Sequence, residues 1–277
     1  MSNVPYHDHG VRWGRKMGAN VQEDALLLGP QDAIGDYHMG ITAENVAKRH
    51  DIGREEMDTL AVTSHRRAAH AISEGRFGEQ IVPVEIRGRK GTIVFDTDEH
   101  VRVDVDADAL ARMNPAFKED ERVTAGNASG VNDGAAMVLL ATASEVAARN
   151  LRPLARIISW GHAGVEPAYM GEGPIKAVPI ALQRARLTIA DMDVIESNEA
   201  FAAQAAAVAK VLGFDPAKVN PNGSGIALGH PVGATGCILA IKCAYELNRT
   251  GGRYGLITMC IGGGQGIAMV IEGSLAS

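Results

Sequence analysis

Apolar positions follow two different rhythms along the chain. Up to about residue 130 the pattern is irregular and polar, and residues 1–40 hold Gly-flanked turns with little periodicity. A helix is predicted over 43–50. A longer one over 54–74 places Met57, Leu60, Ala61, Ser64, Ala68, Ala71 and Ile72 on one face at helical spacing, with His65 and His70 on its surface. The run IVPVEIRGRKGTIVFDTDEH then alternates apolar and polar about a Gly-containing turn, which predicts a hairpin over 81–96.

The second part changes character. GAAMVLLAT at 134–142 reads as a buried strand, followed by a short helix at 143–150. Strands at 155–160 and 193–197 alternate with helices at 174–186 and 201–213. A Gly/Asn/Pro loop at 220–230 opens onto a helix at 232–249. Strands at 254–260 and 266–273 close the chain, joined through IGGGQ. Strands alternating with helices imply an α/β layered fold with a mixed or parallel sheet.

Composition narrows the classes. A chain of 277 residues, 46% apolar and 22% charged, is long enough for one large domain or two ordinary ones. Aromatics are scarce at 4% while glycines number 32, which suits tight packing and close backbone approach to a ligand. A net charge of -6 argues against nucleic acid as a partner. No apolar run reaches the roughly 18 residues of a membrane span, and the polar start MSNVPYHDHG does not read as a secretory signal. Three cysteines, an odd number at no paired spacing, indicate a reducing, cytoplasmic setting with at least one thiol in a functional role. His7 and His9 flank Asp8 but read as solvated, so no metal site is expected. The glycines of 223–236 follow no good strand and lack a spaced acidic partner, which excludes a dinucleotide loop.

Three motifs sit at strand ends or helix starts, where α/β ligand sites form: NEAF (198–201), GHPVGATG (229–236) and CIGGGQG (260–266). Cys260 ends an apolar strand before three glycines whose N–H groups can face a cleft. His230 lies between Gly229 and Pro231 at the mouth of the helix expected from Val232, whose N-terminus would keep the ring neutral. Asn198 and Glu199 open an Ala-rich helix. Read singly, each has an ordinary structural role: a core thiol, a capping imidazole, helix-start residues. Together they put a thiol, an imidazole and a carboxamide at the ends of successive elements of one α/β unit.

At this point NEAFAAQ, NPNGSGIALGHPVGATG and MCIGGGQG resemble the three C-terminal signatures of the thiolase family. The likeness continues upstream through YHMGITAENVAKRHDI, GRKGTIVFDTDEH and VTAGNASGVNDGAA, so it covers essentially the whole chain. It implies a thiolase-like layered fold with a C-terminal βαβαβαββ half and an α+β loop domain. The implied division is 1–132 for the loop domain that covers coenzyme A, 133–150 for the last strand and helix of an N-terminal domain, and 151–277 for the C-terminal domain. The implied reaction is acyl transfer between CoA thioesters: Claisen condensation of an acyl-CoA with acetyl-CoA, or thiolysis of a 3-ketoacyl-CoA. No cofactor is bound permanently; CoA and acyl-CoA are substrates. Full-length family members are homo-oligomers, dimers or tetramers.

By the same resemblance Cys260 is the acid/base thiol, its pKa drawn toward the working range by a cationic or dipolar environment. His230 activates the nucleophile and donates to the thioester oxygen, and Asn198 holds a water that donates to the same oxygen. Loss of one such donor typically costs about 3–4 kcal/mol of barrier. The Gly262 N–H supplies half of a second oxyanion hole. His38, Met39, Phe117 and Ser129 match positions along the pantetheine and adenine path, Arg102 an adenosine-side base, and Met170 and Phe201 the acyl pocket.

One feature of the family pattern finds no match. The acyl-accepting cysteine lies in a C-x-S/G-G turn of the N-terminal half, and Cys237 and Cys243, on different faces of one helix, do not reproduce it. The opening MSNVPY resembles the run that follows that turn. The expectation is therefore an N-terminal half mostly missing, an inactive chain on its own, and an exposed apolar sheet edge. Two other readings stand beside it. One is a cysteine hydrolase built on Cys260, His230 and Asn198; the other is a non-catalytic acyl-CoA-binding remnant.

Overall fold

A computed structural model describes residues 1–274. Near the start β1 (Tyr6–His7) pairs antiparallel with β2 (Glu23–Asp24), and Asp24 caps α1 (Ala25–Leu28). The first predicted helix begins earlier than its pattern suggests: α2 spans Met39–Arg49 because the His38 ring caps it, Nδ1 accepting the Gly40 N–H at 3.0 Å. Next, α3 (Arg54–Ser73) follows the predicted span and buries Met57, Ala61, Ser64, Ala68 and Ala71. His65 departs from expectation. It is buried, because the segment carrying Arg102 crosses that side of α3 and donates its N–H to His65 Nδ1 at 3.1 Å.

The hairpin forms as read, β3 (Val84–Gly88) against β4 (Gly91–Phe95), with every residue of both strands exposed. A short α4 (Ala107–Ala111), absent from the sequence reading, is capped by Asp106, which accepts the Ala109 N–H at 2.6 Å.

The strand expected at 134–142 is not there. These residues adopt no regular structure, and Met137 and Leu139 are 90% and 89% exposed. An apolar run becomes a strand only where a neighbour supplies ladder hydrogen bonds, and among the described residues none does. Helix α5 (Ala143–Ala148) follows, capped by Thr142.

The C-terminal layer is regular. Strand β5 (Ala155–Gly164) outruns its apolar pattern because it pairs along its length with β8 (Gln265–Gly273). Between them lie a 3-10 turn (Pro167–Glu172), α6 (Gly173–Ala185), β6 (Val194–Ser197), α7 (Ala202–Leu212), α8 (Gly225–Leu228), α9 (Thr235–Thr250) and β7 (Tyr254–Ile261). The sheet order is β5-β8-β7-β6, mixed, with β6 and β7 the parallel pair. The expected βαβαβαββ string therefore has one strand too many, and the short α8 stands where that strand was expected. Where a strand would lie between α7 and α9, Val219 makes a single parallel bridge to Ile195.

Strand alternation sets the layers. Ile195, Leu256 and Val270 face α6 and α7, while their neighbours Val194, Ile257 and Ile271 face α9 through Leu239, Cys243 and Leu247. A third apolar cluster joins α2 and α3 to the start of α7 and to Cys260. The C-terminal ends of β6 and β7 thus meet the first part of the chain. No described helix is long and apolar enough to cross a membrane.

Candidate active site

Parallel pairing carries Asn198 to its position. Ser197 lies opposite Thr258, and the Asn198 N–H continues the ladder to the Thr258 carbonyl at 2.9 Å. The Asn198 side chain is wholly buried. Its Nδ2 donates to His230 Nε2 at 3.3 Å, and its Oδ1 has no hydrogen-bond partner.

His230 lies in the turn between α8 and α9. The helix starts at Thr235, not near Val232, because residues 231–234 close a tight turn in which the Ala234 N–H reaches the Pro231 carbonyl at 2.7 Å. Thr235 gives its hydroxyl proton to Pro231 O at 3.0 Å, so its oxygen accepts from His230 Nδ1–H at 2.6 Å. The ring proton therefore sits on Nδ1, and the Nε2 lone pair faces Asn198. Burial pushes the imidazole pKa down to about 4. The neutral state matches expectation, but its cause is desolvation rather than a helix N-terminus, which lies several residues further on.

Cys260 lies two residues beyond Thr258 on β7 and so shares its side of the sheet. It is buried in the cluster that holds Met39, Met170, Phe201 and Ile226. Burial pushes the thiol up to about 12, outweighing a backbone hydrogen bond that acts in the lowering direction. Gly262 opens the turn after it, where Gly263 and Gly264 take φ of +79° and +82°, a conformation that disfavours a side chain. A Cβ on Gly262 would lie 3.4 Å from Met39 Cε, so this backbone sits over the Met39 side chain.

The residues matched to the CoA path gather around the same cluster. His38 stacks on Phe117 with centroids 4.7 Å apart, and Phe117 meets Phe201 edge-on at 6.1 Å. Gly40 makes the stack possible, since a Cβ there would fall 2.3 Å from Phe117 Cδ2. Ser129 is tied beside Phe201 by its N–H to the Ala200 carbonyl at 3.0 Å. Arg102 stays at the surface, at the edge of a small depression lined by His65, His100, Ala128 and Ile226. The other two thiols lie elsewhere: Cys243 belongs to the cluster under α9, its thiol pushed well up by burial, and Cys237 is half-buried on the same helix.

Sequence reading missed two supporting residues, Thr235 and Asn132, and the supporting role of a third, Glu199. Thr235 fixes the His230 tautomer, and Asn132 Oδ1 accepts the His230 N–H at 3.2 Å. Glu199 is buried, accepting from Ser64 Oγ at 2.6 Å and Asn220 Nδ2 at 2.8 Å, so it binds α3 and the 220–226 loop to the end of β6. Burial raises its carboxyl pKa. Thr235 and Asn132 stand inside the quoted motifs, but nothing in their spacing says that they meet His230.

Two family models match the chain: Thiolase, N-terminal domain, over residues 1–144, and Thiolase, C-terminal domain, over residues 151–273. The chain is 57% identical to the beta-ketothiolase BktB of Cupriavidus necator over 273 residues, which is 98% of this chain and 69% of that protein. It is 50% identical, at the same coverage of both, to an acetyl-CoA acetyltransferase of Shinella zoogloeoides. Among solved structures, the Bacillus anthracis acetyl-CoA acetyltransferase superposes with a TM-score of 0.94 at 44% identity, covering 97% of this chain and 68% of that one. A human mitochondrial 3-ketoacyl-CoA thiolase in complex with CoA superposes with a TM-score of 0.91 at 39% identity, covering 98% and 68%. The first match corrects the expectation that the N-terminal half is mostly missing, since residues 1–144 are themselves covered by the N-terminal model.

Proposed function

The chain belongs to the thiolase family and is an acyltransferase of that family, and from this premise we propose that it acts on acyl-CoA thioesters, condensing an acyl group with acetyl-CoA or cleaving a 3-ketoacyl-CoA with CoA. Residues 1–132 cover the CoA, and residues 151–277 carry the reacting groups. His38, Met39, Phe117 and Ser129 line the pantetheine path, with Arg102 at its outer end and Met170 and Phe201 against the acyl group.

The observation that carries this reading is the Asn198–His230 pair beside Thr258, two residues before Cys260. In the condensing direction the Cys260 sulfur takes the α proton of acetyl-CoA, and the electron pair of that C–H bond moves into the enolate. Negative charge collects on the thioester oxygen, where Asn198 Nδ2 can donate; His230, with its ring proton on Nδ1, presents a lone pair at Nε2 and donates there only once Nε2 has taken up a proton. In the cleaving direction the thiol returns its proton to the enolate carbon. A thiol with a pKa of about 12 starts in the protonated form, which suits the second direction as it stands. The Gly262 N–H serves as half of a second oxyanion hole. No cysteine of this chain is assigned as the acyl acceptor: Cys243 is buried under α9, and Cys237 lies on that helix. The hydrolase reading needs Cys260 itself to become acylated, and the relatives named above are acetyltransferases and ketothiolases rather than hydrolases.

Proton transfer can be measured without acyl transfer. Acetyl-CoA incubated with the chain in deuterated water should lose its methyl proton signal, and Cys260→Ala should slow this by about a hundredfold or more. Exchange at an unchanged rate in Cys260→Ala would remove the assignment. CoA binding with no exchange in the unaltered chain would favour the non-catalytic remnant.

A further inference from the structure

We infer that Asn132 is a positioning residue for His230, and that through His100 it ties the CoA-side segment carrying Arg102 to the reacting imidazole. This deepens the acyltransferase reading and rests on it.

Asn132 uses both ends of its amide. Oδ1 accepts the His230 N–H at 3.2 Å, while Nδ2 donates to His100 Nδ1 at 3.3 Å. With Nδ1 accepting, the neutral His100 ring carries its proton on Nε2 and donates to the backbone of Ile226. His100 faces His65 with ring centroids 6.3 Å apart, and His65 accepts the Arg102 N–H at 3.1 Å. One continuous set of contacts thus runs from Arg102 through His65, His100 and Asn132 to His230 and Asn198.

The fit at Asn132 is close. Gly229 has φ of +92°, and a Cβ there would lie 2.6 Å from Asn132 Cγ, so the backbone before His230 rests directly on the amide. The His230 ring is held by Thr235 and Asn198, but its main chain is held from outside the 229–235 turn by Asn132. Without that anchor the peptide at 229–230 can rotate about a residue with no Cβ, and Nε2 leaves its alignment. Misplacement of a reacting group by about 1 Å costs on the order of a hundredfold in rate.

The test uses the full chain with acetyl-CoA as the probe in the deuterium-exchange assay. Asn132→Ala should lower the exchange rate at saturating acetyl-CoA by about tenfold or more while KM stays within about twofold. Asn132→Asp keeps the acceptor for the His230 N–H and should recover most of that rate. Nitrogen-15 spectra of labelled histidines should show the His230 Nδ1–H tautomer lost from Asn132→Ala and kept in Asn132→Asp. An unchanged rate in Asn132→Ala overturns the inference, as does a rate loss matched by an equal rise in KM with the His230 signals unmoved. If the unaltered chain does not exchange, the acyltransferase reading fails, and the spectra alone decide: an unmoved His230 tautomer in Asn132→Ala then overturns the positioning role.

Discussion

The Asn198 side-chain amide donates to His230 Nε2 at 3.3 Å, joining the end of β6 to the turn before α9. This contact orients the ring from one side and Thr235 Oγ1 orients it from the other at 2.6 Å. The two together assign the ring proton to Nδ1.

Thr235→Val keeps the side-chain shape and removes the oxygen that accepts from Nδ1–H. A buried donor left unpaired costs about 1–3 kcal/mol, so the resting tautomer should become mixed. The expected outcome is a fall of about tenfold in acetyl-CoA exchange with a melting temperature lowered by roughly 2–10 °C, checked by exchange kinetics and calorimetry. Full retention of rate would separate the tautomer from the chemistry.

Cys260, with a pKa of about 12, predicts a pH profile without a plateau. The base is the thiolate, and well below the pKa its fraction rises tenfold per pH unit. Exchange measured between about pH 7 and pH 9.5 should rise with a log slope near one. A plateau near pH 9 would mean that the bound thioester, or a neighbour, lowers the thiol pKa.

His65 makes the fold acid-sensitive. Burial, with His100 and Arg102 nearby, depresses its pKa to about 4, while an unfolded histidine titrates near about 6.5. Between these values the unfolded chain binds the extra proton, so stability falls as pH falls, by about 1.4 kcal/mol per pH unit from this group. Above the unfolded value both states are neutral and the dependence ends. His65→Asn keeps an acceptor for the Arg102 N–H and cannot titrate. Unfolding free energies should show the unaltered protein losing stability relative to this variant only as pH drops below about 6.5. Parallel curves would refute the buried neutral histidine. The comparison is made as a difference because Glu196, raised to about 7 by burial beside Lys242, acts in the opposite sense.

Leu139 and Leu140 are 89% and 72% exposed in a run with no strand partner. Exposed apolar runs drive association. Leu139→Ser combined with Leu140→Ser should raise the concentration at which the chain aggregates and leave its melting temperature nearly unchanged, by light scattering and thermal unfolding. A large fall in melting temperature would show that the segment packs in solution.

Local pattern was enough for much of this protein. The spacing of Met57, Ala61, Ser64 and Ala68 determined α3, and alternation about a glycine turn determined the β3–β4 hairpin. Cys260, His230 and Asn198 were legible as residue types at element ends, and the motifs around them carried the family. Tertiary structure decided what depends on neighbours distant in the chain. The run 134–142 has a strand's composition but no ladder partner, and His65 sits at a surface position of its helix yet is covered by the Arg102 segment. The Cys260 and His230 proton affinities follow from burial, which no single segment displays. Asn132 meets His230 across 98 positions of sequence, a contact that only packing creates. Periodicity acts within a segment and is read directly; desolvation and register arise between segments and exist only once the chain has folded.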